Sequence, residues 1–314
     1  MIVTLTLNPS LDHTVEVASL QRGTVTRASD SRIEPGGKGV NVARALVANG
    51  VEARAVLPLG GAVGHHLGEL LAAEGVAMTA VPVAEPTRCN VSVSEPDGTV
   101  TKVNEVGGAL SVGELDQLAD AVDAASLPGD WVVASGSLPP GAPDDVYARL
   151  VGRLAGRGVR TAVDTSGPAL LRAVAAGPDI VKPNREELGE AVGQAIETLD
   201  DAVSAAQVLR RSGAGAVLVS LGPNGAVLVD GQGVTHGACT VNGRRSSVAA
   251  GDSLLAGFLA GGADGGAALA TALRWAAAAV ALPGSGVPSP EDVASRRARI
   301  TRELDLELAL SSSS

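Results

Sequence analysis

Asp252 is a carboxylate at the foot of a helical pattern that opens on small residues. The segment Ala249-Ala250-Gly251-Asp252-Ser253 leads into Leu254-Leu255-Ala256-Gly257-Phe258, so the backbone N–H groups of a first turn lie bare at the positive end of the helix dipole. Such an opening suits the negative charge that develops on a phosphoryl group in transfer. Asp252 stands where it can take a proton from an attacking hydroxyl. Aspartate is also a common cap or first-turn residue, and the segment alone leaves both readings open.

Three further segments have similar chemistry. Gly36-Gly37-Lys38-Gly39-Val40-Asn41 joins a permissive backbone to a cation and an amide at a helix start; a glycine turn with a surface lysine is the plainer alternative. Lys182-Pro183-Asn184-Arg185-Glu186-Glu187 follows a short apolar run, at the strand end where α/β sheets bind ligands. Asn184 and Glu187 are three residues apart and share one face of a helical turn. Such oxygen groups suit a Mg²⁺ that keeps water and phosphate ligands, or simply cap a helix. Ser220-Leu221-Gly222-Pro223-Asn224-Gly225 joins two strand-like runs as a tight turn would, and gains a nucleotide role only beside the others. Standard phosphate loops are absent: Lys38 is followed by Gly39, and no intact GxGxxG follows a strand. None of the four histidines fits a Ser-His-Asp arrangement or a zinc ligand set.

The elements that must position these residues alternate along the chain. Strand-like runs fall at Ile2–Leu7, Ala53–Leu57, Trp131–Ala134, Arg160–Val163, Ile180–Val181, Ala216–Ser220 and Ala226–Val229. Helical patterns fall at Gly39–Asn49, Gly64–Glu74, Val112–Ala124, Pro143–Gly156, Pro168–Ala176, Leu199–Ser212, Asp252–Ala260, Gly265–Ala281 and Pro290–Leu308. Alternation of this kind predicts an α/β fold with a mostly parallel sheet covered on both faces. Two stretches break the rhythm. Asn90–Ser94 and Thr99–Val103 flank Asp97-Gly98, a hairpin signal, and Thr14–Val17 with Val25–Ala28 reads as a second pair of short strands. Together they predict a small sheet standing off the main one, with an edge extension of the main sheet as the alternative.

Bulk composition narrows the class. The 314 residues are 45% hydrophobic and 18% charged, as in a globular chain, while aromatics at 1% leave an aliphatic core and an aliphatic nucleotide pocket. A formal net charge of −10 argues against nucleic-acid binding through a basic surface. Cys89 and Cys239 lack metal-ligand spacing and read as free buried thiols of a reducing cytosol. The N-terminal run has no basic n-region, and Ala276–Leu282 is too short to span a bilayer; a cytoplasmic protein without a membrane partner is expected.

The four segments in their order resemble the ribokinase-like (PfkB) carbohydrate kinases over about Ile2–Leu308. Thr6-Leu7-Asn8-Pro9-Ser10-Leu11-Asp12, Thr87-Arg88-Cys89-Asn90-Val91, Asn104-Glu105-Val106-Gly107, Ser135-Gly136-Ser137-Leu138-Pro139 and Val181-Lys182-Pro183-Asn184 are similar to the 1-phosphofructokinase and tagatose-6-phosphate kinase branch. The resemblance implies a single Rossmann-like domain over 1–314, with lid strands near 12–28 and 88–106 that often build a homodimer, and a disordered tail at 311–314. It implies ATP and Mg²⁺, with Asp252 as catalytic base and the amides of Ala249, Ala250 and Gly251 as an anion hole. Asp12, Gly37, Asn41 and Ser137 would line the sugar site, and Lys38 and Arg88 would bind the phosphate the substrate already carries. Lys182, Asn184, Ser220, Gly222 and Gly225 would line the nucleotide site, and Asn184 and Glu187 would reach Mg²⁺ through water or phosphate. Where the family usually has Gly-Ala-Gly-Asp, this chain has Ala249; the hole then requires ordinary helix-like or extended dihedrals at that position, which is the expectation. Arg244 and Arg245 are expected to face solvent rather than ATP.

The implied reaction is transfer of the ATP γ-phosphoryl group to fructose 1-phosphate. Fructose 6-phosphate and tagatose 6-phosphate are close alternatives, and a catalytically silent sugar-phosphate sensor is the alternative of another class. A nicotinamide-dependent oxidoreductase lacks its glycine fingerprint.

Overall fold

A computed structural model describes residues 1–241, 246 and 248–311; Arg244, Arg245 and most of the 311–314 tail lie outside them. In chain order the strands are β1 (Ile2–Thr6), β2 (Ser10–Glu16), β3 (Asp30–Gly36), β4 (Ala53–Leu59), β5 (Ala77–Pro82), β6 (Arg88–Ser94), β7 (Val100–Asn104), β8 (Trp131–Ser135), β9 (Arg160–Asp164), β10 (Ile180–Val181), β11 (Ala216–Ser220), β12 (Ala226–Asp230), β13 (Gly233–Cys239) and β14 (Ala298–Thr301). The helices are α1 (Lys38–Ala48), α2 (Gly61–Ala73), α3 (Val112–Ala125), α4 (Val146–Ala155), α5 (Gly167–Ala175), α6 (Arg185–Val192), α7 (Leu199–Arg211), α8 (Ala250–Ala260), α9 (Gly265–Val280) and α10 (Pro290–Ala294).

Ten strands form the main sheet in the order β14-β13-β12-β11-β10-β9-β8-β1-β4-β5. It is parallel from β5 to β11 and antiparallel from β11 to β14. Parallel strands in near register end together, and this places the site. Thr6 pairs with Ser135, Ser135 with Asp164, and Val163 with Val181, so the residues after each strand emerge along one edge. Helices cover both faces, as a sheet of apolar strands requires. Val132, Val163, Val217 and Leu170 belong to one buried cluster, and Val133, Leu218, Leu255 and Phe258 to the other. Aliphatic side chains dominate both, and Tyr147 and Phe258 are fully buried.

A second sheet, β3-β2-β6-β7, is separate from the first. The hairpin expected around Asp97-Gly98 is β6 and β7, pairing Asn90 with Asn104 through Ser94 with Val100; Gly98 takes φ 92° at the turn. The other pair is shifted from its expected place. β2 pairs antiparallel with Asp30–Gly36, not with Val25–Ala28, because the chain needs those extra residues to leave β2 and return beside it.

The helix expected over Pro290–Leu308 is also corrected. Only α10 is helical; the chain then adds β14 to the sheet edge, pairing Cys239 with Ala298 and His236 with Thr301. Leu304, Leu306, Leu308 and Leu310 alternate with polar or small residues, a period of two that no helix has, and the chain turns at 306–307 before an isolated bridge of Ala309 to Thr198. The Leu308 carbonyl accepts from Leu199 N–H at 3.0 Å, and Leu310 N–H donates to Glu197 at 2.8 Å. Cys89 and Cys239 are free and half-buried rather than fully buried.

Helix α8 lies against α9, with Gly257 at the contact. A Cβ there would meet Trp275 Cγ at 2.8 Å and Ala272 Cα at 3.0 Å. Gly257→Ala is therefore expected to destabilise the protein by about 1–3 kcal/mol through overpacking, read as a lowered denaturation midpoint. An unchanged midpoint would contradict this packing.

Candidate functional site

Four charged groups from three separate segments meet at the sheet edge. Asp164 ends β9 and is fully buried, and its two carboxylate oxygens each face a lysine. Lys38 Nζ lies 2.7 Å from Oδ1, and Lys182 Nζ lies 3.0 Å from Oδ2. Lys38 also reaches Glu187 Oε1 at 3.0 Å. Burial pushes the Asp164 carboxyl up, but the field of Lys182 and Lys38 outweighs it and holds the group below the usual carboxylate range. Burial likewise opposes charge on Lys38, yet Asp164 and Glu187 raise its ammonium well above the ordinary lysine range. Asp164 was not singled out in the sequence. Its signal was available only as a strand-terminal acid at the same edge as Ser135 and Val181.

Asp252 lies in the first turn of α8 and is 7% exposed. Asn41 Nδ2 donates to its Oδ2 at 2.8 Å, which fixes the carboxylate from α1. Burial and the nearby charge of Asp164 push the Asp252 carboxyl up to about 6, against Lys38, Asn41 and Lys182. A carboxylate tuned in this way can accept a proton near neutrality. The amides of Ala250, Gly251 and Asp252 stand at the open helix end, with Ser253 N–H closing the first turn on Ala249 O at 2.8 Å. A Cβ on Gly251 would lie 3.3 Å from Lys182 Nζ, so the buried Lys182 ammonium sits at the mouth of this opening. The backbone at Ala249 departs from expectation. It takes φ 58° and ψ 1°, the left-handed region that an alanine Cβ disfavours, instead of helix-like or extended dihedrals. The turn into α8 demands that geometry, and a glycine would supply it without strain.

Asn184 and Glu187 form a capping box at the start of α6. Asn184 Oδ1 accepts from Glu187 N–H, and Glu187 Oε2 accepts from Asn184 N–H, both at 2.8 Å. The plain capping role is thus real, and the other carboxylate oxygen still faces Lys38. Asn184 bridges in parallel to Ser220, whose N–H donates to Pro183 O at 3.1 Å. The α6 start and the Gly222–Asn224 turn are therefore neighbours. Gly225 has a structural reason of its own: at φ 86°, a Cβ would stand 2.0 Å from Gly237 O.

On the other side, the small sheet presents a polar cluster. Asp12 Oδ1 accepts from Ser10 Oγ at 2.7 Å and from Asn90 Nδ2 at 2.9 Å. Gly36 leaves Asp12 its place, because a Cβ would meet the Asp12 carboxyl at 2.4 Å and displace it. The amide oxygens of Asn41 and Asn90 are buried without a partner, which marks them as acceptors for a ligand's hydroxyl donors. In the sequence Asn90 stands out only as part of Thr87-Arg88-Cys89-Asn90-Val91. Arg88 donates to Glu105 O and Asn8 O, each at 3.0 Å, while Asn8 Nδ2 reaches Ser137 Oγ at 3.4 Å. At Gly37, φ 111°, a Cβ would stand 2.9 Å from Thr6 Cγ2 and 3.2 Å from Pro9 Cα. Lys38 and Arg88, the pair expected to bind phosphate, lie in the fields of different carboxylates: Asp164, Glu187 and Asp252 for Lys38, Asp12 and Glu105 for Arg88.

Residues 5–291 match the model of the pfkB family of carbohydrate kinases. The chain belongs to that family. It is 40% identical to the 1-phosphofructokinase of Rhodobacter capsulatus, over 96% of each chain. With the ATP-dependent 6-phosphofructokinase isozyme 2 of Escherichia coli (strain K12) it shares 39% identity, over 81% of this chain and 83% of that one. The crystal structure of phosphofructokinase-2 from Escherichia coli in complex with substrates and products superposes with a TM-score of 0.87 at 36% identity, over 93% of this chain and 97% of that one. Membership makes the protein a phosphotransferase acting on a hydroxyl group with ATP as donor.

Two outcomes follow from the geometry. Ala249→Gly is expected to raise stability by about 0.5–1 kcal/mol by removing the left-handed strain, with turnover retained; a loss of stability in denaturant unfolding would contradict the strained turn. With Asp252 titrating at about 6 in the free protein, its base form is lost as pH falls, so kcat/KM should drop roughly tenfold per unit below that value. The raised value also means that ionised Asp252 opposes folding above about pH 6, an opposition relieved as pH falls toward the unfolded carboxyl range. A flat kcat/KM profile from pH 5 to 8 would remove Asp252 from the proton transfer.

Proposed function

We propose that this protein transfers the γ-phosphoryl group of ATP to a primary hydroxyl of a hexose phosphate, with fructose 1-phosphate as the acceptor and fructose 1,6-bisphosphate as the product. The observation that carries this reading is the buried Asp252, its carboxyl pushed up to about 6 and held by Asn41 at the open end of α8. The high similarity to the Rhodobacter capsulatus 1-phosphofructokinase supports the choice of isomer. Fructose 6-phosphate is the second reading, favoured by the Escherichia coli isozyme 2 relative; tagatose 6-phosphate is compatible with the same polar cluster. A catalytically silent sensor would not need a base in this state.

In this reading Asp252 orients the hydroxyl and takes its proton late in a loose transition state, where positioning and charge neutralisation provide most of the catalysis. The amides of Ala249, Ala250 and Gly251 meet the transferring group. Lys182 stands at their mouth, and Lys38 shifts from Asp164 and Glu187 toward the incoming phosphate charge. Asp12, Gly37, Asn41 and Ser137 hold the sugar, Arg88 its phosphate. Lys182, Asn184, Ser220, Gly222 and Gly225 border the nucleotide. Mg²⁺ would neutralise phosphate charge when bound. Both oxygens of Glu187 already have partners, and among the described residues no group of three or more Asp, Glu, His or Cys side chains is placed to hold a metal ion by itself. The donor set therefore fits a metal carried by the triphosphate and its waters, with Asn184 and Glu187 beyond them.

The small sheet would close over the sugar as a lid and exclude water. Its exposed Ile33 and Val103, which the register places on one face of that sheet, would then belong to the surface through which two copies pair, a homodimer in the cytoplasm. No helix among the described residues is long and apolar enough to cross a membrane.

The test is ADP release measured over fructose 1-phosphate, fructose 6-phosphate, tagatose 6-phosphate and unphosphorylated sugars, for the native chain and for Arg88→Ala. Fructose 1-phosphate should give the highest kcat/KM. Loss of a charged anchor should raise the sugar-phosphate KM roughly 10- to 100-fold while the ATP KM changes little. Preference for an unphosphorylated sugar would overturn the substrate class.

A further inference from the structure

The C-terminal segment crosses back over the molecule to the two elements read above as the nucleotide border. Its backbone is bound by Leu199 N–H to Leu308 O, Asp200 N–H to Leu306 O and Leu310 N–H to Glu197 O, and Leu310 is buried in the core. Beyond these anchors its last described residues make side-chain bonds of a different kind. Arg185 Nη1 donates to Leu310 O and to Ser311 O, each at 3.0 Å. Ser311 N–H donates to Asn224 Oδ1 at 2.9 Å. Arg185 is the first residue of α6, directly after the cap Asn184, and Asn224 ends the Gly222–Asn224 turn.

Helix chemistry does not account for Arg185. A cation in a first turn stands at the positive end of the dipole and weakens the helix, so the tail carbonyls are what this side chain serves. Asn224 is held from both directions: its carbonyl lies 2.9 Å from His236 Nε2 on β13, while its side chain takes the tail amide. The turn is thus pressed against β13 by Gly225 on one side and tied to the tail on the other.

We propose that residues 304–311 form a strap that fixes the α6 start relative to the Gly222–Gly225 turn, and that Arg185 and Asn224 are positioning residues for nucleotide binding. This rests on the nucleotide reading of Asn184, Ser220 and Gly222. The backbone link from Ser220 to Pro183 sets the inner edge of that site, and the strap sets its outer edge. Substrate on the small-sheet side does not depend on it.

Binding of a non-hydrolysable ATP analogue, measured by calorimetry without sugar phosphate, tests the proposal in Arg185→Ala, Asn224→Ala and Ser311→Pro. The last removes the tail N–H, with a narrowed backbone at Leu310, and leaves the residues of both nucleotide elements unsubstituted. Each variant should bind the analogue roughly three- to tenfold more weakly, the effect of one lost hydrogen bond, with kcat and the sugar-phosphate KM within about twofold and Arg185→Lys partly restored. Native-like analogue affinity in all three variants would overturn the strap, as would equal rises in both KM values, which mark a general loss of folding. Failure of the native chain itself to bind the analogue would overturn the nucleotide reading, and the strap with it.

Discussion

Burying Asp164 and Asp252 within each other's field is unfavourable for both, and the arrangement around them follows from that. A buried carboxylate is tolerated only with opposite charge or hydrogen-bond donors nearby. Asp164 takes both lysines and stays ionised, while Asp252 receives a single amide from Asn41 and is driven up to about 6. The same repulsion that destabilises the pair sets the basicity of the second member. Each lysine in turn belongs to a different part of the site: Lys38 opens α1 beside the small sheet, and Lys182 follows β10 near the open end of α8. The charge network therefore joins both halves of the cleft, and an anion entering between them would draw on cations already held in place.

Parallel pairing is what allows residues so far apart in sequence to meet. Ser135, Asp164 and Ser220 all end strands that run the same way, so the turns after them open on one edge. Glycine then sets how close the backbones come. Gly36 leaves room for the Asp12 carboxyl, and Gly225 for the Gly237 carbonyl of β13.

Much of this was legible in the chain. The alternation of strands and helices gave the parallel sheet, and Asp97-Gly98 marked the β6–β7 hairpin, because local turn chemistry and period-two patterning are sufficient there. Asn184 and Glu187 were read both as a capped helix and as a ligand pair, and they do form the cap. What escaped was non-local. Asp164 is one aspartate after an apolar run, and only the meeting of α1 and β10 around it gives it partners. The partner of β2 lies five residues later than expected at its start, since nothing in the intervening loop marks where the chain turns back. The alternating leucines after residue 303 were read with a helical period because α10 precedes them and the edge strand β13 that captures β14 was unrecognised.

Ala249 shows how the fold's demand overrides local preference. An alanine at φ 58° is strained by its own Cβ, and such strain persists only where surrounding structure over-determines the backbone. Here the constraints are visible on the helix side. Ser253 N–H is bound to the Ala249 carbonyl, Gly257 is packed against Trp275, and the Asp252 carboxylate is held by Asn41. With α8 fixed by its packing and Asp252 fixed by its amide, the residue entering the helix has little freedom left. The strain is thus a consequence of holding the first-turn amides and the carboxylate in one orientation, and it is tolerated because the rest of α8 is buried.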